Sequence, residues 1–143
     1  MSTLNTAVNV AASALSAERT RIEVAVSNLA NAESTRGADG RPYRRRDVVL
    51  TTDTIQSFDS ALGSASATGV KVAGIVEDTA PARRRYDPSH PDADKDGFVE
   101  LPNINPAEEM VDMVGASRAY QANLTAINLI RDLVSRSLEL GRA

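Results

Sequence analysis

Ser27-Asn28-Leu29-Ala30-Asn31-Ala32 closes the first of two long apolar periodicities in this 143-residue chain, and its reading decides the fold. Upstream of it, Leu4, Val8, Ala11, Leu15, Ile22, Ala25 and Leu29 recur at alternating spacings of three and four, with Glu18 the one polar interruption. That spacing is a heptad seam, with Val8, Leu15, Ile22 and Leu29 in equivalent positions. It predicts a helix from about Leu4 to Ala32, roughly 43 Å long at the α-helical rise, with Ser2 or Thr3 able to cap its start. A core-facing helix of a globular domain would also carry an apolar stripe, but the length and narrowness here favour a coiled-coil seam. Asn28 and Asn31 end the seam, because the Asn amide competes for nearby backbone groups and weakens a helix interior. Read locally, they mark a helix C-terminus followed by a loop.

The loop is Glu33-Ser34-Thr35-Arg36-Gly37-Ala38-Asp39-Gly40, in which glycine supplies the positive φ angles that turns require. Beyond it, Val48-Val49-Leu50-Thr51-Thr52 is β-branched and reads as a strand, and Val70-Lys71-Val72-Ala73-Gly74-Ile75-Val76 alternates as a second, with a bulge suggested at Gly74. Residues 53–69 between them are rich in Ser, Ala and Thr, with Ile55, Phe58 and Leu62 to pack and room for one helical turn. Arg83 to Tyr86 and Gly97 to Glu100 predict a third and a fourth short strand. The expectation is one small antiparallel sheet.

At the other end, Asn105-Pro106-Ala107-Glu108 is a helix start: Asn caps, Pro suits the first helical position, and Glu108 reaches back towards the cap N–H. Glu108 and Glu109 suit the positive end of the helix dipole. Met110, Met113, Ser117, Tyr120, Leu124, Ile127, Val134 and Leu138 follow the three-four alternation, and Val114, Ile130, Leu133 and Leu140 widen it. Gly141 is the expected C-terminal cap. The fold class is therefore α+β. Long N- and C-terminal helices (1–33 and 105–143) pair as an antiparallel coiled coil, because a small middle domain (34–104, β-rich) brings its own ends together. One pairing leaves Ala12, Val26, Ile130 and Leu140 without a partner in the chain, which predicts packing against other subunits. A head-to-tail contact of that kind yields a helical filament or tube.

Composition narrows the function classes. The chain is 42% hydrophobic but only 3% aromatic, without Trp, and much of the apolar share is Ala, so a core would bury little area per residue. A net charge of −3 gives no general attraction to nucleic acid or anionic lipid. Cys is absent, which excludes disulfides, thiolate metal sites and a Cys nucleophile. No apolar run reaches the roughly 18 residues that span a bilayer, and the start of the chain has no basic region, apolar stretch and cleavage site of the ordinary signal type. Two arginine triplets, Arg44 to Arg46 and Arg83 to Arg85, have acidic neighbours in Asp47 and Asp87 and read as solvated or protein-facing clusters rather than a nucleic-acid site. Asp92, Asp94, Asp96 and Gly97 match the first half of a calcium-binding EF-hand loop. The match fails at the twelfth position, occupied by Asn103, and Pro88, Pro91 and Pro102 exclude the flanking helices, so an acidic turn is expected. His90, the only histidine, reads as an exposed loop residue. No catalytic, cofactor or metal residue is expected, and no cofactor.

Ser13-Ala14-Leu15-Ser16-Ala17-Glu18-Arg19 through Ser27-Asn28-Leu29-Ala30-Asn31-Ala32 resembles the N-terminal signature of the bacterial flagellar rod and hook axial proteins. Pro42-Tyr43-Arg44-Arg45-Arg46-Asp47-Val48-Val49, Tyr86-Asp87-Pro88 with Pro91-Asp92-Ala93, and Pro102-Asn103 narrow the resemblance to the proximal rod, as do Glu109-Met110-Val111-Asp112-Met113 and Ser117 to Asn123. The resemblance covers nearly the whole chain. It implies a structural subunit of the basal-body rod, the drive shaft that crosses the periplasmic space and transmits torque for motility. It also implies type III export without a cleaved signal peptide, and partners that are other rod proteins and copies of this chain. In such proteins the terminal helices form an inner tube and the middle domain lies outside it. One departure is present: relatives often follow the Asn-rich motif with Thr-x-Gly and an aromatic residue, whereas here an insertion over 36–42 separates Thr35-Arg36-Gly37 from Tyr43.

The expected assembly interface comprises Leu15, Ile22, Ser27, Asn28, Leu29 and Asn31 on the first helix. On the second it comprises Met110, Met113, Tyr120, Asn123, Leu124, Ile127 and Val134. Asn28 and Asn31 become candidates for polar contacts where the helical layer meets the middle domain. The competing class is a soluble adaptor or regulatory module whose helices bind one partner helix in a discrete complex.

Overall fold

The structure, a computed structural model, describes residues 2–37, 40–55 and 67–140. The expected helical turn within 53–69, the packing of Phe58 and Leu62, the cap at Gly141 and the side chains of Ser2 and Thr3 lie outside the described residues. The element order is α1 (Ser2–Ala30), β1 (Arg46–Ile55), β2 (Ala67–Glu77), β3 (Arg83–Tyr86), β4 (Phe98–Leu101) and α2 (Pro106–Leu140). The α+β class and both helices match the expectation. The single sheet does not: β1 pairs with β2 and β3 with β4 in two separate two-stranded ladders. The arginines explain part of this, since β3 is exposed at all of its positions and offers no apolar face on which a wider sheet could stack.

The chain divides into two compact units whose boundaries fall inside the helices and inside the first ladder rather than at element ends. One unit contains residues 1–20, 50–73 and 115–143. Its buried apolar residues are Ala11, Ala17, Ala116 and Ile127, and a cavity of about 440 Å³ is lined by Leu4, Val8, Ile130 and Val134. Ser13 ties this part of α1 to β2, accepting from the Val70 N–H at 3.1 Å while donating to the Val10 carbonyl at 2.7 Å.

The other unit contains residues 21–49 and 74–114. Ala25, Ala32, Val99, Leu101 and Ile104 are buried in it. The β3–β4 hairpin is antiparallel, with Arg83 opposite Leu101 and Tyr86 opposite Phe98; the rings of that last pair meet edge to face at 5.3 Å, an arrangement favoured by the aromatic quadrupole. Val99 and Leu101 turn inward and Glu100 outward, the period-two alternation of a ladder with one covered face.

Both helices show the seam periodicity, with different outcomes. On α1 the expected positions are covered, but the alanines are fully buried while Leu4, Val8, Leu15, Ile22 and Leu29 are half-buried. Small side chains let backbones approach, and the longer ones lie at the flanks of the contact. On α2 the inward residues are Glu109, Met113, Ala116, Tyr120, Asn123, Ile127, Ile130 and Val134, an unbroken alternation of four and three. The expected members Met110, Leu124 and Leu138 are instead 49%, 45% and 56% exposed. The inward stripe keeps Met113, Tyr120, Ile127 and Val134 and puts Glu109 and Asn123 in place of Met110 and Leu124; the Glu109 carboxylate stands inward because Arg45 and the buried Asn28 hold it.

Both helix ends are built as their residues suggest. Asn105 accepts from the Ala107 N–H at 3.1 Å, and its amide donates to Glu108 at 3.0 Å. The Glu108 carboxylate thus meets the cap side chain rather than the expected backbone N–H. At the end of α1, Asn31 donates its amide to the Ser27 carbonyl at 2.8 Å, and Ser34 donates back to the Asn31 carbonyl through both N–H and hydroxyl. These bonds satisfy carbonyls that the helix terminus leaves open.

Candidate functional site

Asn28 and Glu109 are 1% and 2% exposed, and among the described residues they are the two buried polar or charged side chains. They meet directly: the Asn28 amide donates to Glu109 Oε2 at 2.9 Å and to the Arg46 carbonyl at 2.8 Å. The Asn28 Oδ1 accepts from the Arg46 N–H at 2.9 Å and from the Tyr43 hydroxyl at 3.1 Å. The side chain thereby pairs with both main-chain groups of Arg46, as a neighbouring strand would, exactly where β1 begins. An Asn amide has two donor hydrogens and an acceptor oxygen with two lone pairs, and here each is used. Ser27 adds a hydroxyl contact to Tyr43 at 3.2 Å.

The other oxygen of Glu109 accepts from Arg45 Nε at 2.6 Å. Arg45 also pairs with Asp47 and lies 3.8 Å from Asp112. Burial pulls the Arg45 guanidinium down, and the hydrogen bond and charge of Glu109, helped by Asp47, more than offset this and leave it above its ordinary value. An unpaired buried carboxylate would cost several kcal/mol on the order of its desolvation penalty. Glu109 avoids that cost because residues from the end of α1, the approach to β1 and the start of α2 converge on it. Among the described residues no buried side-chain N or O is left without a partner. A carboxylate with one oxygen on a guanidinium and the other on an amide, at 2% exposure, is a fixed internal anchor.

Arg45 and Arg46 of the first arginine triplet and all three members of the second are used within the chain. Arg46 pairs with Glu77 at 3.2 Å and lies over the Tyr43 ring. Arg84 pairs with Asp94 at 2.6 Å and covers Phe98, and Arg85 reaches Glu33 at 3.0 Å. Arg83 donates to the Pro102 carbonyl at 3.1 Å. The acidic turn does not converge on a point. Asp94 accepts from the Phe98 and Asp96 N–H groups, at 2.8 and 2.9 Å, as an Asx turn closing the hairpin. Those bonds, the Phe98 N–H foremost, with Arg84 hold its carboxyl below the usual range. Asp92 faces the other way and accepts from the Thr35 hydroxyl at 2.7 Å, with Arg36 3.4 Å away. It anchors the start of the 36–42 insertion, whose ends meet through Gly37 N–H and the Arg41 carbonyl at 2.7 Å. His90 is half-buried and accepts from the Asp92 N–H through Nδ1 at 3.1 Å. Among the described residues, no group of three His, Cys, Asp or Glu is placed to hold a metal ion.

The expected interface residues thus occupy three situations. Ser27, Asn28 and Asn31 make their polar contacts inside the chain, as does Asn123, which donates to the Ala119 carbonyl at 2.9 Å. Leu15, Ile22, Leu29, Met113, Tyr120 and Val134 are half-buried on the seams, and Ile127 is buried. Met110 and Leu124 are open to solvent. Glu109 and Arg45 were missed as a pair. Glu109 reads locally as a dipole-compensating surface residue, and sequence offers no signal that an arginine 64 positions earlier would bury it.

Comparison with known proteins gives the same outline. Residues 8–38 match a family model described as flagella basal body rod protein, and residues 95–140 one described as flagellar basal body rod FlgEFG protein C-terminal. The helix residues Asn28 and Glu109, which meet in the buried contact, fall one in each matched segment. The flagellar basal-body rod protein FlgC of Salmonella typhimurium is 43% identical over 134 residues, covering 94% of this chain and 95% of that one. The Bacillus subtilis protein of the same name is 43% identical over 145 residues, covering 94% and 96%. That of Borreliella burgdorferi is 41% identical over 151 residues, covering 96% and 97%. With both helices matched to rod models and full-length relatives at this identity, the chain belongs to the FlgC family of flagellar basal-body rod proteins.

Proposed function

We propose that this chain works by assembly, as a structural subunit of the proximal rod that builds a tubular drive shaft through its terminal helices and transmits torque for motility. The observation that carries this reading is the unequal treatment of α2. One face forms the inward seam from Glu109 to Val134, while Val111, Leu129, Leu133, Leu138 and Leu140 are 56–81% exposed on the same helix. Apolar side chains in that number are stabilised by burial against further helices. Antiparallel pairing of α1 with α2 accounts for the contact of Asn28 with Glu109 and for the cavity shared by Leu4 and Val8 with Ile130 and Val134. Residues 1–33 and 105–143 are then the assembling helices, and 34–104 the outer domain. Met110 and Leu124 belong to the surface offered to neighbours, whereas Asn28 serves it indirectly by fixing the helix ends.

The partners on this reading are copies of the chain and other rod proteins, after export by the flagellar type III apparatus into the periplasmic space without cleavage of a signal peptide. Among the described residues no helix is long and apolar enough to cross a membrane. Helices of this kind gain little by themselves in water, so the terminal helices are largely disordered in the monomer and fold on assembly, when intersubunit burial offsets the entropy of ordering. The test is a deletion strain imaged for basal bodies and complemented with the wild-type chain or with Leu124→Glu/Leu133→Glu. Rods are expected with the wild type and absent with the variant; normal rods in the deletion strain would overturn the reading.

A further inference from the structure

We propose that a depression lined by Arg44 and Glu100 receives the hairpin turn of a second copy of this chain, with Asp96 and Lys95 of one copy meeting Arg44 and Glu100 of the next. The inference rests on the assembly reading above and adds to it a contact in the middle segment rather than in the helices.

The unit containing residues 21–49 and 74–114 spends most of its charges internally. Among its described residues, the charged side chains without a hydrogen-bond or ion-pair partner are Arg44, Lys95, Asp96 and Glu100, and each is exposed. Arg44 and Glu100 line the same depression, about 460 Å³ in volume, together with Pro42, Tyr43, Pro81 and Pro102. Glu100 is left over for a local reason. It stands opposite Arg84 in the β3–β4 ladder, but that guanidinium turns to Asp94 and the Phe98 ring. The depression therefore offers one unspent cation and one unspent anion between proline and tyrosine walls, which lose little side-chain freedom when covered.

The opposite pair of charges stands on the turn. Lys95 and Asp96 are the central residues of the turn that the Gly97 N–H closes on the Asp94 carbonyl at 3.0 Å. The Asp94 carboxylate holds that turn through the Asp96 and Phe98 N–H groups, and Gly97 adopts the positive φ it needs. The tip is thus ordered before any contact forms, and docking it costs little ordering entropy. Between copies, Asp96 meets Arg44 and Lys95 meets Glu100, and the walls displace water around both pairs, which strengthens them. A segment carrying carboxylates alone would be repelled by Glu100, whereas a second copy brings both signs. Depression and tip are different surfaces, so the contact is head-to-tail and can repeat from subunit to subunit.

The experiment complements the deletion strain with Arg44→Asp, Asp96→Arg or both, and counts assembled rods by electron microscopy. Each single reversal sets like charges face to face and is expected to cut the count at least about tenfold, whereas the double variant returns it to within about twofold of the wild type. Cross-linking covers the case in which a reversal disturbs the fold. The chain has no Cys of its own, so Lys95→Cys and Glu100→Cys copies expressed together are expected to give a disulfide-linked dimer in isolated basal bodies that neither gives alone. Normal rods from both single reversals, or no dimer from the mixed copies, would overturn the contact and leave the assembly reading standing. Rod loss in Arg44→Asp that Asp96→Arg does not repair, with no mixed dimer, would put another rod protein in the depression and overturn the second copy as its occupant. Normal rods in the deletion strain itself would overturn the assembly reading, and the contact with it.

Discussion

Replacing Asn28 with Ala tests whether the buried amide, rather than the Asn-rich motif as a whole, holds the helix ends. The substitution removes a donor to Glu109, a donor and an acceptor to the Arg46 main chain, and an acceptor for Tyr43. Arg46 is exposed and Tyr43 half-buried, so water can take over those groups, at a loss of about 0.5 kcal/mol each, the low end for a net hydrogen bond. Glu109 is 2% exposed and cannot be rescued in that way; losing a bond to a charged group costs about 1.5–3 kcal/mol. The total is about 3–4.5 kcal/mol. Asn31 makes one side-chain bond, to the Ser27 carbonyl of its own helix, so Asn31→Ala should cost about 0.5–1 kcal/mol. Urea unfolding followed by circular dichroism at 222 nm separates the two: with an unchanged slope of about 1–3 kcal/mol per molar, the Asn28→Ala midpoint falls by about 1–4.5 M. Equal shifts for the two variants, or a loss under about 1 kcal/mol for Asn28→Ala, would refute the reasoning. In cells, the double variant should still be exported yet fail to build rods; intact rods would remove the motif from assembly.

Glu109→Gln keeps the shape of the anchor but strands Arg45 beside Asp47 and Asp112 alone. The loss should be about 2–3 kcal/mol, below the full cost of breaking a buried pair because Arg45 is 21% exposed, and a double-mutant cycle with Arg45→Ala should show coupling above about 1 kcal/mol. The Asp94 carboxyl sits below its ordinary 3.8 in the folded chain, chiefly through the Phe98 N–H. Its contribution is therefore present above that ordinary value and lost as pH falls through the lower folded one, so the protection of the Phe98 amide, relative to the unfolded chain at the same pH, should fall below about pH 4 and lose that pH dependence in Asp94→Asn. Gly97 has φ +81° and a Cβ there would lie 2.9 Å from the Tyr86 ring, whereas Gly40 at +77° has open space around it. Gly97→Ala should lower stability by more than the roughly 1 kcal/mol expected of Gly40→Ala from backbone strain alone, as read by thermal unfolding.

Local chemistry determined a good part of this protein. The three-four spacing of Leu4, Val8, Ala11 and Leu15, the Asn105-Pro106 start and the β-branched run at Val48 depend on neighbours along the chain, and α1, α2 and β1 form where they point. The acidic turn was legible as a turn because Gly97 permits its positive φ, and the prolines around it exclude flanking helices. What sequence could not weigh was competition between distant partners. Met110 and Leu124 are more apolar than Glu109 and Asn123, yet the latter face inward, because a carboxylate met by Arg45 and Asn28 is stable in the interior and one without them is not. The opening motif shows both sides. Asn31 caps its own helix, as a local reading says. Asn28, three residues earlier and chemically identical, is committed to Arg46 and Glu109, 18 and 81 positions away, and only the tertiary structure could tell the two apart.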